Sequence, residues 1–135
     1  MRLFFNHFFI DSNHWIWPHN SGDLYIMKRK ILLIASEPAI RSCVSEILEL
    51  ADYNLLQAND GKTGVEIANL EAPDVVITDL SLAGLDGYGV LHLLQGKSWF
   101  GNAVFIVLCG ACDKNELRKA MELGADDVII KPFEG

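Results

Sequence analysis

The chain has 135 residues, the length of one domain; half are apolar and about a fifth are charged, which allows a packed core and excludes wholesale disorder. The net charge of −7 argues against nucleic acid as a direct partner, because phosphate binding needs a basic face. No apolar run approaches the roughly 20 residues that span a bilayer, and three cysteines give no even disulfide framework, which favours a reducing compartment.

Residues 1–26 differ in composition from the rest of the chain. They hold seven of the thirteen aromatic residues and three of the four histidines. Their apolar start, RLFFNHFFI, is interrupted by polar residues and lacks a small-residue cleavage site, which argues against a signal peptide. The spacing of His7, His14 and His19 matches no regular metal-ligand motif. We expect this aromatic-rich leader to be either disordered or not native, with the native protein starting at Met27.

From Lys30 onward, apolar runs alternate with helical patterns. A strand buried on both faces reads as a continuous apolar run. The predicted strands are 31–34, 53–58, 75–79, 104–108 and 128–130. Between them apolar residues recur at helical spacing, with Pro38 in the first turn of the first helix and Asp113 as the cap of the fourth. This alternation predicts an α/β fold: a doubly wound, five-stranded parallel sheet with helices on both faces.

In open parallel sheets, ligands bind beyond the carboxyl ends of the strands, at the point where the strand order reverses. The side chains expected at this edge are Ala35, Ser36 and Glu37 after the first strand, Asp79 at the end of the third, Cys109 and Gly110 after the fourth, and Lys131 after the fifth. An aspartate and a lysine from different strands would therefore converge on one crevice.

Two long segments carry a family resemblance. PDVVITDLSLAGLDGYGVL, residues 73–91, and GADDVIIKPF, residues 124–133, resemble the acceptor and lysine segments of receiver domains from two-component response regulators. The resemblance covers residues 28–133. It implies a flavodoxin-like sheet of strand order 2-1-3-4-5, and transfer of a phosphoryl group from a histidine kinase or phosphotransfer protein to an aspartate, assisted by Mg²⁺. We expect 27–135 to form a receiver domain whose last helix is missing.

The resemblance also implies residue roles. Asp79 would be the phosphoacceptor, Lys131 would contact the phosphoryl oxygens, and Cys109 occupies the position of the family's serine or threonine. Mg²⁺ would be held by Asp79 and by the backbone carbonyl of Ser81, with Glu37 as a further candidate ligand. A carboxylate can attack phosphorus and form an acyl phosphate, and a lysine supplies a compact positive charge.

The sequence departs from the family pattern around this site. The acidic pair that holds Mg²⁺ is replaced by Ala35 and Ser36, so we expect metal binding to be weak or lost. The thiol of Cys109 is a weaker donor than the family's hydroxyl. The aromatic switch position is Val128, which cannot swing as a ring does, and Ala83 replaces a proline in the loop after Asp79.

Some features of the sequence are compatible with functions other than phosphotransfer. Cys109 and Cys112 form a C-x-x-C motif at a strand end, which is compatible with a redox enzyme, or with a redox-sensitive switch that a 109–112 disulfide would reveal. A phosphorylation-independent pseudo-receiver would act as a protein-binding module. The charged residues of the fourth predicted helix could serve such a partner, although an ordinary solvated face is the favoured explanation for them: Lys114, Glu116, Arg118 and Lys119. A dinucleotide-binding enzyme is disfavoured, because no G-x-G-x-x-G follows the first strand.

We therefore predict a cytoplasmic receiver domain that accepts a phosphoryl group on Asp79 and passes the signal to a downstream protein target. It is not expected to be an enzyme beyond self-phosphorylation from a phosphodonor. Direct contacts with nucleic acid or with a membrane are not expected.

Overall fold

The structure is a computed structural model that describes residues 8–11, 14–18, 24–110 and 113–130, with side chains from residue 29 onward. Before residue 29 the backbone forms three strands: β1 (Phe8–Asp11), β2 (His14–Pro18) and β3 (Leu24–Lys28). They pair in sequence order into an antiparallel sheet. The sequence patterns did not predict these strands. His7 and His19 lie outside the described residues, and the native start at Met27 stays a prediction.

A second sheet contains five parallel strands. They are β4 (Lys30–Ile34), β5 (Asn54–Ala58), β6 (Val75–Asp79), β7 (Val104–Cys109) and β8 (Asp127–Ile130). Their spatial order is β5-β4-β6-β7-β8, which is 2-1-3-4-5 when these five strands are counted along the chain. The predicted fold class and strand order are confirmed, and each predicted strand end agrees with the structure to within one residue.

Four α-helices connect the parallel strands. They are α1 (Pro38–Leu50), α2 (Gly61–Glu71), α3 (Gly87–Leu94) and α4 (Lys114–Glu122). A 3-10 turn at Phe100–Asn102, which the sequence analysis did not predict, precedes β7. In the described part of the chain, no helix combines the length and the hydropathy needed to cross a membrane.

The sheet separates two apolar clusters, as the period of two along a strand requires. In β4, Leu32 and Ile34 belong to the cluster that α2, α3 and α4 cover, while Leu33 belongs to the cluster that α1 covers. All three side chains are fully buried. Because both faces of the central strands are covered, their sequences read as unbroken apolar runs, and this made them predictable.

Aspartates begin three of the helices. Asp86 accepts a hydrogen bond from the backbone N–H of Gly89 at 2.8 Å, and Asp113 accepts one from Glu116 at 2.9 Å. Asp60 caps α2 in the same way. Each carboxylate pairs a backbone donor that the first helical turn cannot satisfy internally. The cap predicted at Asp113 is therefore confirmed.

Helix α3 approaches the end of β6 through a glycine. A Cβ atom on Gly87 would lie 2.7 Å from the carbonyl oxygen of Asp79 and 2.9 Å from Cα of Leu80. Both distances are far below ordinary van der Waals contact, so no larger residue fits here without a backbone shift. The close approach sets where the loop after Asp79 turns into α3.

We expect Gly87→Ala to lower the free energy of unfolding by about 1–3 kcal/mol, because the added methyl group must displace backbone atoms. Urea denaturation followed by circular dichroism measures this change. Gly96→Ala is the matched control, since a Cβ there meets no atom within 4 Å. An equal loss in both variants would contradict the role given to the close approach of α3.

Candidate functional site

The centre of the candidate site is the carboxylate of Asp79. This residue ends β6, lies opposite Leu108 of β7 in the parallel register, and is only 2% exposed. Its Oδ1 accepts a hydrogen bond from the backbone N–H of Ser81 at 3.3 Å. Asp79 is thus a buried carboxylate at the carboxyl edge of the sheet, the edge predicted from the sequence to hold the site.

The backbone around Asp79 is fixed on both sides. The hydroxyl of Thr78, which is fully buried, donates to the carbonyl of Asp79 at 3.1 Å. The N–H of Leu80 donates to the carbonyl of Leu108 at 2.9 Å, which extends the pairing with β7 by one residue. These bonds restrict the directions in which the carboxylate can move. Thr78 was not assigned a role from the sequence, although a hydroxyl residue directly before the strand-end aspartate is a visible signal.

The end of β4 carries no carboxylate at the positions where the family has its acidic pair. Ala35 is fully buried, and Ser36 is exposed. The guanidinium of Arg41, in the first turn of α1, donates from Nη1 to the carbonyls of Ala35 at 2.7 Å and of Ser36 at 3.1 Å. A cationic side chain therefore engages the backbone oxygens at this end of the strand. This contact was not predicted from the sequence.

The other predicted metal ligands are placed as follows. Glu37 is exposed and occupies the N-cap position of α1, where its side chain makes no capping hydrogen bond. Ser81 is exposed in the loop after β6. Among the residues that the structure describes, no group of three or more His, Cys, Asp or Glu side chains is arranged to hold a metal ion.

Lys131 lies outside the described residues. Its predicted pairing with the phosphoryl group, and its approach to Asp79, stay predictions. Val128, at the family's aromatic switch position, is half-buried and packs against the cluster on the α4 side of the sheet. Ala83 is exposed and precedes Gly84, which has a positive φ of 76°.

Cys109 ends β7, one residue beyond the partner of Asp79, and is 3% exposed. Its Sγ lies 3.9 Å from Oε2 of Glu116. Cys109 is disulfide-bonded in the structure, so its sulfur carries no proton and the approach to Glu116 is a contact rather than a donated hydrogen bond. Cys43 is a free thiol. Cys112, the other cysteine of the predicted motif, lies outside the described residues.

We expect Arg41→Gln to lower the free energy of unfolding by about 1 kcal/mol, because the carbonyls of Ala35 and Ser36 lose a charged donor. Thermal denaturation monitored by circular dichroism measures the effect. Arg118→Gln is the control, since Arg118 carries the same charge on an exposed face of α4. If the control is destabilised as much as Arg41→Gln, the contact at the end of β4 contributes nothing specific.

The fold, and the buried aspartate at the carboxyl edge of the five-stranded sheet, are those of a receiver domain. Residues 31–135 match the family described as the response regulator receiver domain, and the chain belongs to that family. Receiver domains of this family act in two-component systems, interact with histidine kinases, and generally bind Mg²⁺ at their phosphorylation site. The resemblance stated from the sequence is confirmed.

Curated relatives extend well beyond this chain. A probable transcriptional regulator, ycf27 of Porphyridium aerugineum, is 37% identical over 108 residues, which are 80% of this chain and 44% of that protein. The alkaline phosphatase synthesis transcriptional regulatory protein PhoP of Bacillus subtilis is 33% identical over 109 residues, 79% of this chain and 44% of PhoP. The chain spans less than half the length of these relatives.

Solved structures agree on the fold. The chemotaxis response regulator CheY4 of Vibrio cholerae superposes with a TM-score of 0.75 at 23% identity, covering 80% of this chain and 90% of CheY4. A response regulator receiver domain protein from Clostridium thermocellum gives a TM-score of 0.71 at 29% identity, covering 78% of this chain and 83% of that one.

Proposed function

We propose that this receiver domain works in a phosphorelay by accepting a phosphoryl group on Asp79. The observation that carries the proposal is the position of Asp79: a buried carboxylate at the carboxyl end of β6, flanked by β4 and β7, with Oδ1 held by the N–H of Ser81. The donor is a phosphohistidine of a kinase or of a phosphotransfer protein.

The step is a transfer between two nucleophiles. A carboxylate oxygen of Asp79 attacks phosphorus, the bond from phosphorus to the donor nitrogen breaks, and the electron pair of that bond leaves with the imidazole. Catalysis of such a transfer depends on positioning and on stabilising negative charge. The hydrogen bond from Ser81 and the bond from Thr78 to the backbone of Asp79 support the positioning. We assign charge stabilisation to the ammonium of Lys131.

We further propose that the contribution of Mg²⁺ is weak or lost. Of the family's acidic cluster only Asp79 is present as a carboxylate, while Arg41 engages the carbonyls of Ala35 and Ser36. Two unit charges at 4 Å interact by about 4 kcal/mol at an effective dielectric constant near 20, and a divalent ion doubles this gross figure. If the cost of desolvation cancels two thirds of the interaction energy between Mg²⁺ and one carboxylate, the loss of that carboxylate still lowers the affinity for Mg²⁺ about a hundredfold.

The family of this chain and its net charge support the choice of proposed partners. A histidine kinase or phosphotransfer protein supplies the phosphoryl group, and a downstream protein target reads it, both in the cytoplasm. The curated relatives are named as transcriptional regulators, but this chain covers less than half of them. With a net charge of −7, the domain itself is not proposed to bind nucleic acid.

We expect acetyl phosphate to add the mass of one phosphoryl group to the reduced protein, as read by intact mass spectrometry, and the addition to disappear in Asp79→Asn. Asp127→Asn is the control, because Asp127 is an exposed carboxylate whose hydrogen bond is local, to the N–H of Val128. No added mass at any Mg²⁺ concentration would reject phosphotransfer. The remaining explanation would then be a phosphorylation-independent binding module, which none of the comparisons supports.

We expect Ser36→Asp to lower the Mg²⁺ concentration that half-saturates phosphorylation by about tenfold, because one carboxylate returns at an exposed position beside the site. Isothermal titration of Mg²⁺ gives the affinity directly. Ser42→Asp, which adds the same charge at an exposed position further along α1, should leave that affinity unchanged. Tight Mg²⁺ binding by the unchanged protein would show that the proposed loss is wrong.

A further inference from the structure

Helix α4 places a carboxylate beside the candidate site. Glu116 lies in the first turn of α4, with Oε2 3.9 Å from Sγ of Cys109. Cys109 directly follows Leu108, the residue paired with Asp79 across the β6–β7 ladder. The charge of Glu116 is therefore on the β7 side of the edge that presents Asp79. From the sequence alone, Glu116 was assigned to a solvated helix face.

The backbone of Glu116 is held on both sides. Its N–H donates to Asp113 at 2.9 Å, and its carbonyl accepts from the hydroxyl of Tyr88 at 3.4 Å. The ammonium of Lys119 lies 4.5 Å from the centre of the Tyr88 ring and adds a second tie between α3 and α4. The side chain of Glu116 thus starts from a fixed position next to the end of β7.

The charge of Glu116 acts on its surroundings. Burial raises the pKa of the Tyr88 phenol, and the negative charges of Glu116 and Asp86 raise it further. An anion close to Glu116 meets the same unfavourable field that the phenolate meets. A phosphoryl group that arrives at Asp79 brings negative charge close to the end of β7, where Cys109 follows the partner of Asp79.

We propose that the negative charge of Glu116 disfavours anionic ligands at the Cys109 side of the site and thereby slows the approach of phosphodonors, which all carry negative charge. The inference rests on the proposed phosphotransfer to Asp79, whose rate it would limit. Repulsion between like charges over a few ångströms weakens the approach of an anion, and added salt screens it because Glu116 is exposed. A neutral side chain of the same shape should remove the repulsion.

The charge preference can be measured without phosphorylation. The full-length chain is kept reduced and treated with anionic iodoacetate or neutral iodoacetamide, and peptide mass spectrometry gives the rate of each at Cys109. Both reagents consume the same thiolate, so their rate ratio cancels changes in the thiol pKa and reports the local potential. The free thiol of Cys43, on α1, serves as an internal reference in every sample.

Glu116→Gln should raise the iodoacetate-to-iodoacetamide ratio at Cys109 by about threefold at low ionic strength, and the gain should shrink at high ionic strength. Glu122→Gln removes the same charge from the last residue of α4, about 9 Å further along the helix axis, and should leave the ratio unchanged. Thermal denaturation verifies that both variants are folded.

An unchanged ratio in Glu116→Gln, or an equal rise in Glu122→Gln, overturns the inference. Initial rates with acetyl phosphate form the second arm, where Glu116→Gln should react about threefold faster than the unchanged protein. If phosphorylation occurs at the same rate in Glu116→Gln and in the unchanged protein, the proposed slowing of phosphodonors by Glu116 is rejected. If no protein is phosphorylated while the alkylation ratio rises, the phosphoacceptor role of Asp79 fails and the charge preference of Glu116 stands.

Discussion

The candidate site depends on the parallel register that joins β6 to β4 and β7. Thr78 lies opposite Ile34 on one side, and Asp79 lies opposite Leu108 on the other. Because side chains alternate between the faces of a strand, a slip of one residue would move each side chain of β6 to the opposite face of the sheet. The register therefore places a charged group at the sheet edge while the apolar residues that precede it remain in the core.

Apolar packing on both faces maintains that register. Phe105 and Val76 pack in the cluster covered by α2, α3 and α4, whereas Leu33 and Ile77 pack in the cluster covered by α1. Shifting one strand would expose several of these side chains at once, at a cost of about 1.5–3 kcal/mol for each fully buried one. The same burial that stabilises the sheet thus helps to fix the position of Asp79.

The fold was largely predictable because its signals are local. Unbroken apolar runs identify strands covered on two faces, and Asp113 identifies a helix start. The strand order came from the resemblance to receiver domains. The site was predictable only in part. The end of each strand indicates which residues reach the edge, but Arg41 and Glu116 act through contacts formed after helices dock on the sheet. Helical spacing assigns a side chain to a face without indicating which neighbour it meets.

The central claim is that one aspartate and one lysine, from different strands, form the phosphoryl pocket of this receiver. The most direct measurement is an experimental structure that resolves Asp79 and Lys131 together. The account predicts that the ammonium nitrogen lies within about 4 Å of the carboxylate, or of a phosphoryl analogue bound to it. A lysine side chain that points away from the carboxyl edge, or that lies at the opposite edge of the sheet, would contradict it.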